Sequence, residues 1–254
     1  MKVTILGSGA AQGVPIWGWG WGACDPQNPK NKRTRASIFI SAQDADILID
    51  TSPDLRAQAL RNDIEHVDAV FYTHGHADHC HGINEIQFLA GKQGAVIPIY
   101  ASAETIKDLE RMFSYAFHQQ PDSSPFHKPF LKSNLIAGPF QVKNLEITPF
   151  EQDHGFSKTL GFRIGNFAYS TDLIRLDDAA FNILEGVQTW VVDCLRYEPS
   201  LTHAHLDLTL DWIRRVKPSR AILTHLSYHM DYETLQAQLP EGILVAYDGM
   251  VLEV

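Results

Sequence analysis

Three cysteines in 254 residues, Cys24, Cys80 and Cys194, are too few, too far apart and odd in number for a disulfide framework, which points to a reducing cytosol. Long apolar runs are missing as well. The opening MKVTILGSG holds a four-residue apolar run before Gly7, too short for a signal-peptide core, and no later stretch approaches membrane-spanning length. Positive charge is also scarce: 21 Lys and Arg against 30 Asp and Glu leave a formal net charge of −9 with no long basic block. That balance argues against a stable nucleic-acid complex and for a small substrate. The expectation is a cytoplasmic chain with no membrane partner.

Core-forming residues are plentiful, at 44% hydrophobic content. Short apolar runs rich in β-branched residues recur at 3–6, 37–40, 47–49, 69–72, 97–100, 145–150, 161–164, 167–170, 189–192 and 221–223, and read as strands. Helical patterns lie between them at 55–62, 81–89, 102–117, 176–184, 208–216 and 232–239. This alternation predicts a single α/β domain over residues 1–254. Two segments break it. Residues 17–22, WGWGWG, read as a packed surface loop, and residues 118–140, with their Pro and Ser, as a long loop that could lid a site or form a homodimer contact.

Asp50, His74, Asp172, Asp193 and His225 each fall just after a predicted strand, the edge at which α/β sheets assemble sites. The segment YTHGHADHCHGINE carries the densest chemistry, with His74, His76, Asp78 and His79 spaced as H-x-H-x-D-H. On an extended segment His74 and His76 point the same way and can share one ion, while Asp78 and His79, starting the next turn, face a second. Imidazole nitrogen and carboxylate oxygen suit Zn²⁺, Mn²⁺ and Fe alike. The plainer alternative is a polar loop whose Asp78 only caps a helix. Cys80 reads as a small buried side chain.

This pattern, T-H-x-H-x-D-H, resembles the metal motif of the metallo-β-lactamase superfamily, and EQDHG, YSTD and AILTH follow in the expected order. The resemblance implies a four-layer αββα sandwich with two divalent metal ions, zinc or manganese, iron being a further fit. In it His74, His76 and His154 hold one ion, Asp78, His79 and His225 the other, and Asp172 bridges them. Asp50 orients a ligand histidine from behind, and a bridging hydroxide is the nucleophile. Taken singly, Asp172 could cap a helix, His154 could be a loop residue and His225 a buried histidine.

Beyond the ligands, GSGAAQGVP, WGACDPQNPKNKRTRAS, HAHLDLTL and LTHLSYHMDY…LPEGILVAYDGM resemble the PhnP-like family of phosphoribosyl 1,2-cyclic phosphate phosphodiesterases. That likeness implies a metal-dependent phosphodiesterase. Its catalytic residues are His205, ahead of the D-L helix start and with His203 as the competing candidate, and Asp78, which is also a ligand. The substrate is a small cyclic phosphodiester, ribosyl 1,2-cyclic or nucleoside 2′,3′-cyclic phosphate. The family's structural zinc, held by three cysteines and a histidine, has no counterpart here, since Trp19, Trp21 and Tyr228 stand beside Cys24 in those places. The expected substitute is aromatic packing of the Trp-Gly loop on residues 228–231. Lys30, Lys32, Arg33, Arg35, Lys158 and Arg196 are candidate phosphate contacts, and Phe126, His127 and Phe130 candidate stacking residues. Competing readings are a tRNA 3′-end endonuclease, a thioester or lactam hydrolase, and a non-catalytic carrier like the coenzyme PQQ biosynthesis protein of the superfamily.

Overall fold

The computed structural model describes residues 1–42, 44–119 and 128–254. The first half of the chain builds strands β1 (Lys2–Gly7), β2 (Ser37–Ala42), β3 (Ala45–Ile49), β4 (Ala69–Phe71), β5 (Ile97–Ala101) and β6 (Leu131–Leu135). The second half builds β7 (Phe140–Val142), β8 (Leu145–Asp153), β9 (Lys158–Ile164), β10 (Phe167–Ser170), β11 (Thr189–Asp193), β12 (Arg220–Thr224) and β13 (Ile243–Val245), and β14 (Met250–Glu253) then returns to the first sheet. Two seven-stranded sheets result, in the orders β14-β1-β2-β3-β4-β5-β6 and β13-β12-β11-β10-β9-β8-β7.

Alternation along the strands sets the layers, because successive side chains leave opposite faces. Ile47, Ile49, Phe71, Phe167, Tyr169, Val191 and Ile222 meet in the core between the sheets. Their neighbours Leu48, Val70 and Tyr72 face helices α1 (Leu55–Arg61), α3 (Ile86–Gln93) and α4 (Ala103–Met112). Ala168, Trp190, Val192 and Leu223 face α6 (Asp178–Leu184), α7 (Leu206–Val216) and α8 (Tyr232–Gln236). Helix α2 (Ala77–Cys80) lies between β4 and α3, and α5 (Ser114–Phe117) follows α4. The result is the expected αββα sandwich.

Within each sheet one run is parallel, β3-β4-β5-β6 and β10-β11-β12-β13. The paired ends lie level, with Ile49 opposite Phe71, Ser170 opposite Val192 and Asp193 opposite Thr224. Residues just beyond these ends therefore gather at one edge.

Three expectations change. Residues 131–135, expected in the long loop, form β6, because Leu131 and its neighbours pair in parallel with β5. Phe130 is buried beneath it and does not stack on a ligand, while Phe126 and His127 lie outside the described residues. Two of the three indoles of the Trp-Gly loop do not pack, since Trp17 is 100% and Trp19 78% exposed, while Trp21 is half-buried. Gly18 and Gly20 adopt φ of 81° and 82° and turn the chain so that Trp17 and Trp19 point outward. The join to residues 227–231 sets the Tyr228 ring directly against Gly22, where no side chain would fit, and adds polar ties: Ala23 N–H donates to Tyr228 O at 2.9 Å, and Arg33, 2% exposed, donates to Ser227 O at 3.3 Å and to Asn31 Oδ1 at 3.3 Å.

Trp190 shows how closely the second sheet is packed, being fully buried with its indole N–H donating to Ser170 Oγ at 3.0 Å. Trp190→Ala is expected to cost about 3–5 kcal/mol of stability in urea unfolding. A loss below about 1 kcal/mol would show that this layer repacks freely.

Candidate metal centre

The centre assembles where the two parallel runs end. His74 follows β4, His76 is the N-cap of α2, and Asp78 and His79 lie in that short helix. His154 follows β8, Asp172 follows β10, Asp193 ends β11 and His225 follows β12. Asp50, Asp172 and His225 take left-handed φ values of 63°, 56° and 58°, a region costly for residues other than glycine. Such turns aim each side chain back across the sheet edge.

Asp172 sits at the middle, 2% exposed. Its Oδ1 lies 3.9 Å from Nε2 of both His74 and His154 and 3.8 Å from Nε2 of His203. Its Oδ2 lies 3.1 Å from His79 Nε2 and 3.5 Å from His225 Nε2. Asp78 Oδ2 approaches the same two nitrogens, at 3.2 and 3.6 Å. Two groups share Asp172, one with His74, His76 and His154 and one with Asp78, His79 and His225, and within each the ligand atoms lie within 4.8 Å of one another. All seven residues expected as ligands are brought together.

The opposite ring nitrogens are held from behind. Asp50 Oδ2 lies 2.7 Å from His79 Nδ1, and Asp50 also accepts from the Thr73 amide and hydroxyl at 2.8 Å each. Thr73 Oγ1 in turn lies 3.0 Å from His74 Nδ1, and the Thr202 carbonyl lies 2.7 Å from His154 Nδ1. Asp193 serves two rings, with Oδ2 3.2 Å from His203 Nδ1 and Oδ1 3.5 Å from His225 Nδ1. The Nε2 atoms of His74, His79 and His225 are buried with no hydrogen-bond partner. Buried nitrogens left open toward a common point, on rings whose other nitrogen faces an oxygen at 2.7 to 3.5 Å, fit a pair of divalent ions.

Neither helix-cap alternative holds. Asp177, not Asp172, caps α6 by accepting the Ala180 N–H at 2.8 Å, and the N-cap of α2 is His76, with Asp78 inside the helix. Cys80 is buried, and burial together with the charge of Asp50 pushes its thiol up to about 12, so it is no nucleophile.

His205 and His203 part company. His205 is the N-cap of α7, its backbone bridged to Arg196, and it joins none of the ring contacts or ion pairs among the described residues. His203 stacks on His225 with ring centroids 4.9 Å apart and lies 4.7 Å from the ring of His154. The hydrogen bond from His154 to Thr202 draws residue 203 inward, while the helix starts only at residue 206. Sequence reasoning left Asp193 as a strand-end residue without a role and passed over Thr73 and Thr202.

Most candidate phosphate contacts are already engaged. Lys30 Nζ donates to Tyr232 OH at 3.1 Å, Arg35 pairs with Asp54 at 3.0 Å and Lys158 with Glu151 at 2.9 Å. Arg196 donates to the carbonyls of Glu198 and Pro199 at 3.2 and 2.8 Å, and Arg33 is buried. Lys32 is exposed.

The chain belongs to the beta-lactamase superfamily, whose domain model matches residues 45–226. Within that superfamily it falls in the PhnP family: the crystal structure of a diphosphatase from that family is 33% identical, with a TM-score of 0.91 covering 100% of this chain and 97% of that one. An octanoyltransferase of Porphyromonas gingivalis is 31% identical over 98% of this chain, and a coenzyme PQQ synthesis protein B of Rhodopseudomonas palustris 28% identical over 76%. The chain spans about half the length of these curated relatives, 51% and 55%. Fold and donor set together fit a pair of divalent metal ions. No helix among the described residues is long and apolar enough to cross a membrane.

Without metal the two groups differ in charge. Burial and the neighbouring His79 hold His74 well below the usual imidazole range, and burial also lowers His154. Burial pulls His79 and His225 down too, but Asp172, with Asp78 and Asp50 or Asp193 and Asp78, outweighs it, raising His79 well above the ordinary value and His225 to about 10. A raised imidazole is protonated at neutral pH and must release its proton to a metal, so affinity should climb as pH rises from 7 toward 10. Zinc calorimetry on the metal-free chain at pH 7, in buffers of different ionisation enthalpy, should show at least about one proton released per chain. A heat independent of buffer would contradict this electrostatic picture.

Proposed function

We propose that this chain is a dinuclear metal-dependent hydrolase acting on a small cyclic phosphodiester, either a ribosyl 1,2-cyclic phosphate or a nucleoside 2′,3′-cyclic phosphate. The observation that carries the reading is Asp172, whose two oxygens face two separate imidazole groups. In this reading His74, His76 and His154 hold one ion, Asp78, His79 and His225 the other, and Asp172 both, with zinc, manganese or iron as the metal. Ions bound there supply Lewis-acid polarisation of a phosphoryl oxygen and lower the pKa of water toward neutrality.

The remaining steps fall to the chain. Asp193 accepts the Nδ1 proton of His203, which leaves Nε2 as the atom that exchanges a proton with substrate. A water oxygen forms the new bond to phosphorus and keeps one hydrogen on the phosphomonoester product, the bond to the sugar oxygen in line with it breaks, that oxygen takes the proton from His203 Nε2, and the second water proton passes to Nε2 in its place. His203 thus replaces His205 as the preferred donor. Asp78, whose Oδ2 faces the same point as Nε2 of His79 and His225, serves beside them as a ligand, and Asp50 and the Thr202 carbonyl fix rings against rotation from behind.

A second reading is hydrolysis of a diphosphate, favoured by the name of the PhnP-family relative at 33% identity. The acyl transfer named for the Porphyromonas protein belongs to a chain about twice as long.

The metal-loaded protein should be screened against 2′,3′-cyclic nucleotides, ribosyl cyclic phosphate, a nucleoside diphosphate ester, bis-p-nitrophenyl phosphate, a phosphomonoester, a thioester and a lactam. Fastest turnover on a cyclic diester is expected. Faster cleavage of the diphosphate would install the second reading, and preference for the thioester or lactam would refute both. His203→Ala should lower turnover by roughly 10²-fold with metal content unchanged, whereas His205→Ala should stay near wild type. The reverse ranking would return the role to His205.

A further inference from the structure

Two sequence motifs stand outside the centre, GSG at the end of β1 and YDGM ahead of β14. Asp248 joins them. Its side chain is 3% exposed, and its Oδ1 accepts from the amide and the hydroxyl of Ser8, both at 2.9 Å. Its Oδ2 accepts from the amide and the hydroxyl of Thr34, at 2.8 and 2.6 Å. Arg61 is the nearest cation, 3.5 Å from Oδ2.

Two arms lead inward from this node. The short one is a single hydrogen bond: the Ser8 carbonyl accepts the amide of Leu226 at 2.9 Å, the residue directly after His225. Ala10 N–H returns a bond to Leu226 O at 3.2 Å, so the GSGA backbone and residue 226 pair as one unit. His225 itself holds a left-handed φ of 58°, which its neighbours must maintain. The long arm runs from the Thr34 hydroxyl to Gln58 Nε2 at 2.9 Å and from Gln58 Oε1 to the Ser52 hydroxyl at 2.9 Å, ending two residues from Asp50. In the other imidazole group His154 is anchored away from both arms on the Thr202 carbonyl, and His74 rests on Thr73, which also bonds Asp50.

We infer that Asp248 is a positioning residue for one half of the metal centre, the half that contains His225. This deepens the proposed function and rests on its ligand assignment. A carboxylate offers only acceptors and can take all four hydrogen bonds, whereas an asparagine amide presents donors to either Ser8 or Thr34 and leaves buried N–H and O–H groups facing them. The strained turn at His225 then loses its nearest support, while the Thr73 and Thr202 anchors stay in place.

The test uses the full chain loaded with zinc and equilibrated against graded chelator, with zinc retained per chain as the readout. Wild type should release zinc in two steps, and the step removed in His225→Ala marks the half in question. Asp248→Asn should move that step to chelator concentrations at least about tenfold lower and leave the other within about threefold, the range expected when a residue behind a ligand is lost. Thr34→Val and Ser8→Ala should shift the same step in the same direction by smaller factors, and they carry the test if the asparagine variant does not fold. Folded variants in which both steps shift equally, or neither does, would overturn the inference. A wild type that retains fewer than two zinc ions would overturn the ligand assignment, and this inference with it.

Discussion

Everything in this structure is arranged around one buried carboxylate. Asp172 is removed from water, surrounded by imidazole edges at 3.1 to 3.9 Å, and given one close hydroxyl, Thr171 Oγ1 at 2.7 Å. A carboxylate so placed is costly unless positive charge faces it. Burial raises its pKa, yet His225 and His79 overcome that and hold it well below the usual carboxylate range. The ionised form therefore persists, with each oxygen committed to a different set of nitrogens. No single strand could supply those nitrogens, and this requirement explains why two sheets meet with their parallel ends level.

The division of labour follows from that geometry. The first half of the chain contributes Asp50, His74, His76, Asp78 and His79, and the second half His154, Asp172, Asp193, His203 and His225. Each half packs its own outer helices, and the halves share the core between the sheets and strand β14, which the second half returns to the first sheet. Polar ties across the edge, such as Leu226 to Ser8 and Leu160 N–H to Thr73 O at 2.9 Å, keep the halves in register where the chemistry needs it. The left-handed residues at this edge cost about 1–3 kcal/mol each, and apolar burial between the sheets is large enough to offset that cost.

Much of this was legible in the sequence because the signals were local. Alternating β-branched runs marked the strands, and H-x-H-x-D-H after β4 marked the centre. What escaped was non-local or weakly patterned. Strands β13 and β14 are three and four residues long, and β6 hides behind a Pro-containing stretch, held as a strand by its neighbour β5 rather than by its own composition. His203 and His205 are separated by one residue, and the motif favours His205; the tie from Thr202 to His154 and the Asp193 carboxylate beside His203 are what bring His203 inward instead. The Trp-Gly loop misled for a related reason: alternating aromatics suggest packing by every indole, but left-handed glycines throw Trp17 and Trp19 into solvent and leave the contact to Gly22, Ala23 and Arg33. The strand-end position of Asp193 was plain, but that it serves two histidines depends on a register between β11 and β12 that no motif encodes.

For the phosphodiester proposed above, the charge distribution has a consequence for how the substrate would be held. The net charge is −9, and the centre itself adds Asp50, Asp78, Asp172 and Asp193 in a small volume. Lys30, Arg35, Lys158 and Arg196 are tied to partners within the chain, and Arg33 is buried. A phosphate approaching the metal-free centre meets carboxylates and only the partial compensation of protonated His79 and His225. In that reading the attraction that a guanidinium clamp provides in other phosphate sites would come chiefly from ions held by the donor set, so that metal binding would govern affinity for the phosphodiester as well as the chemical step.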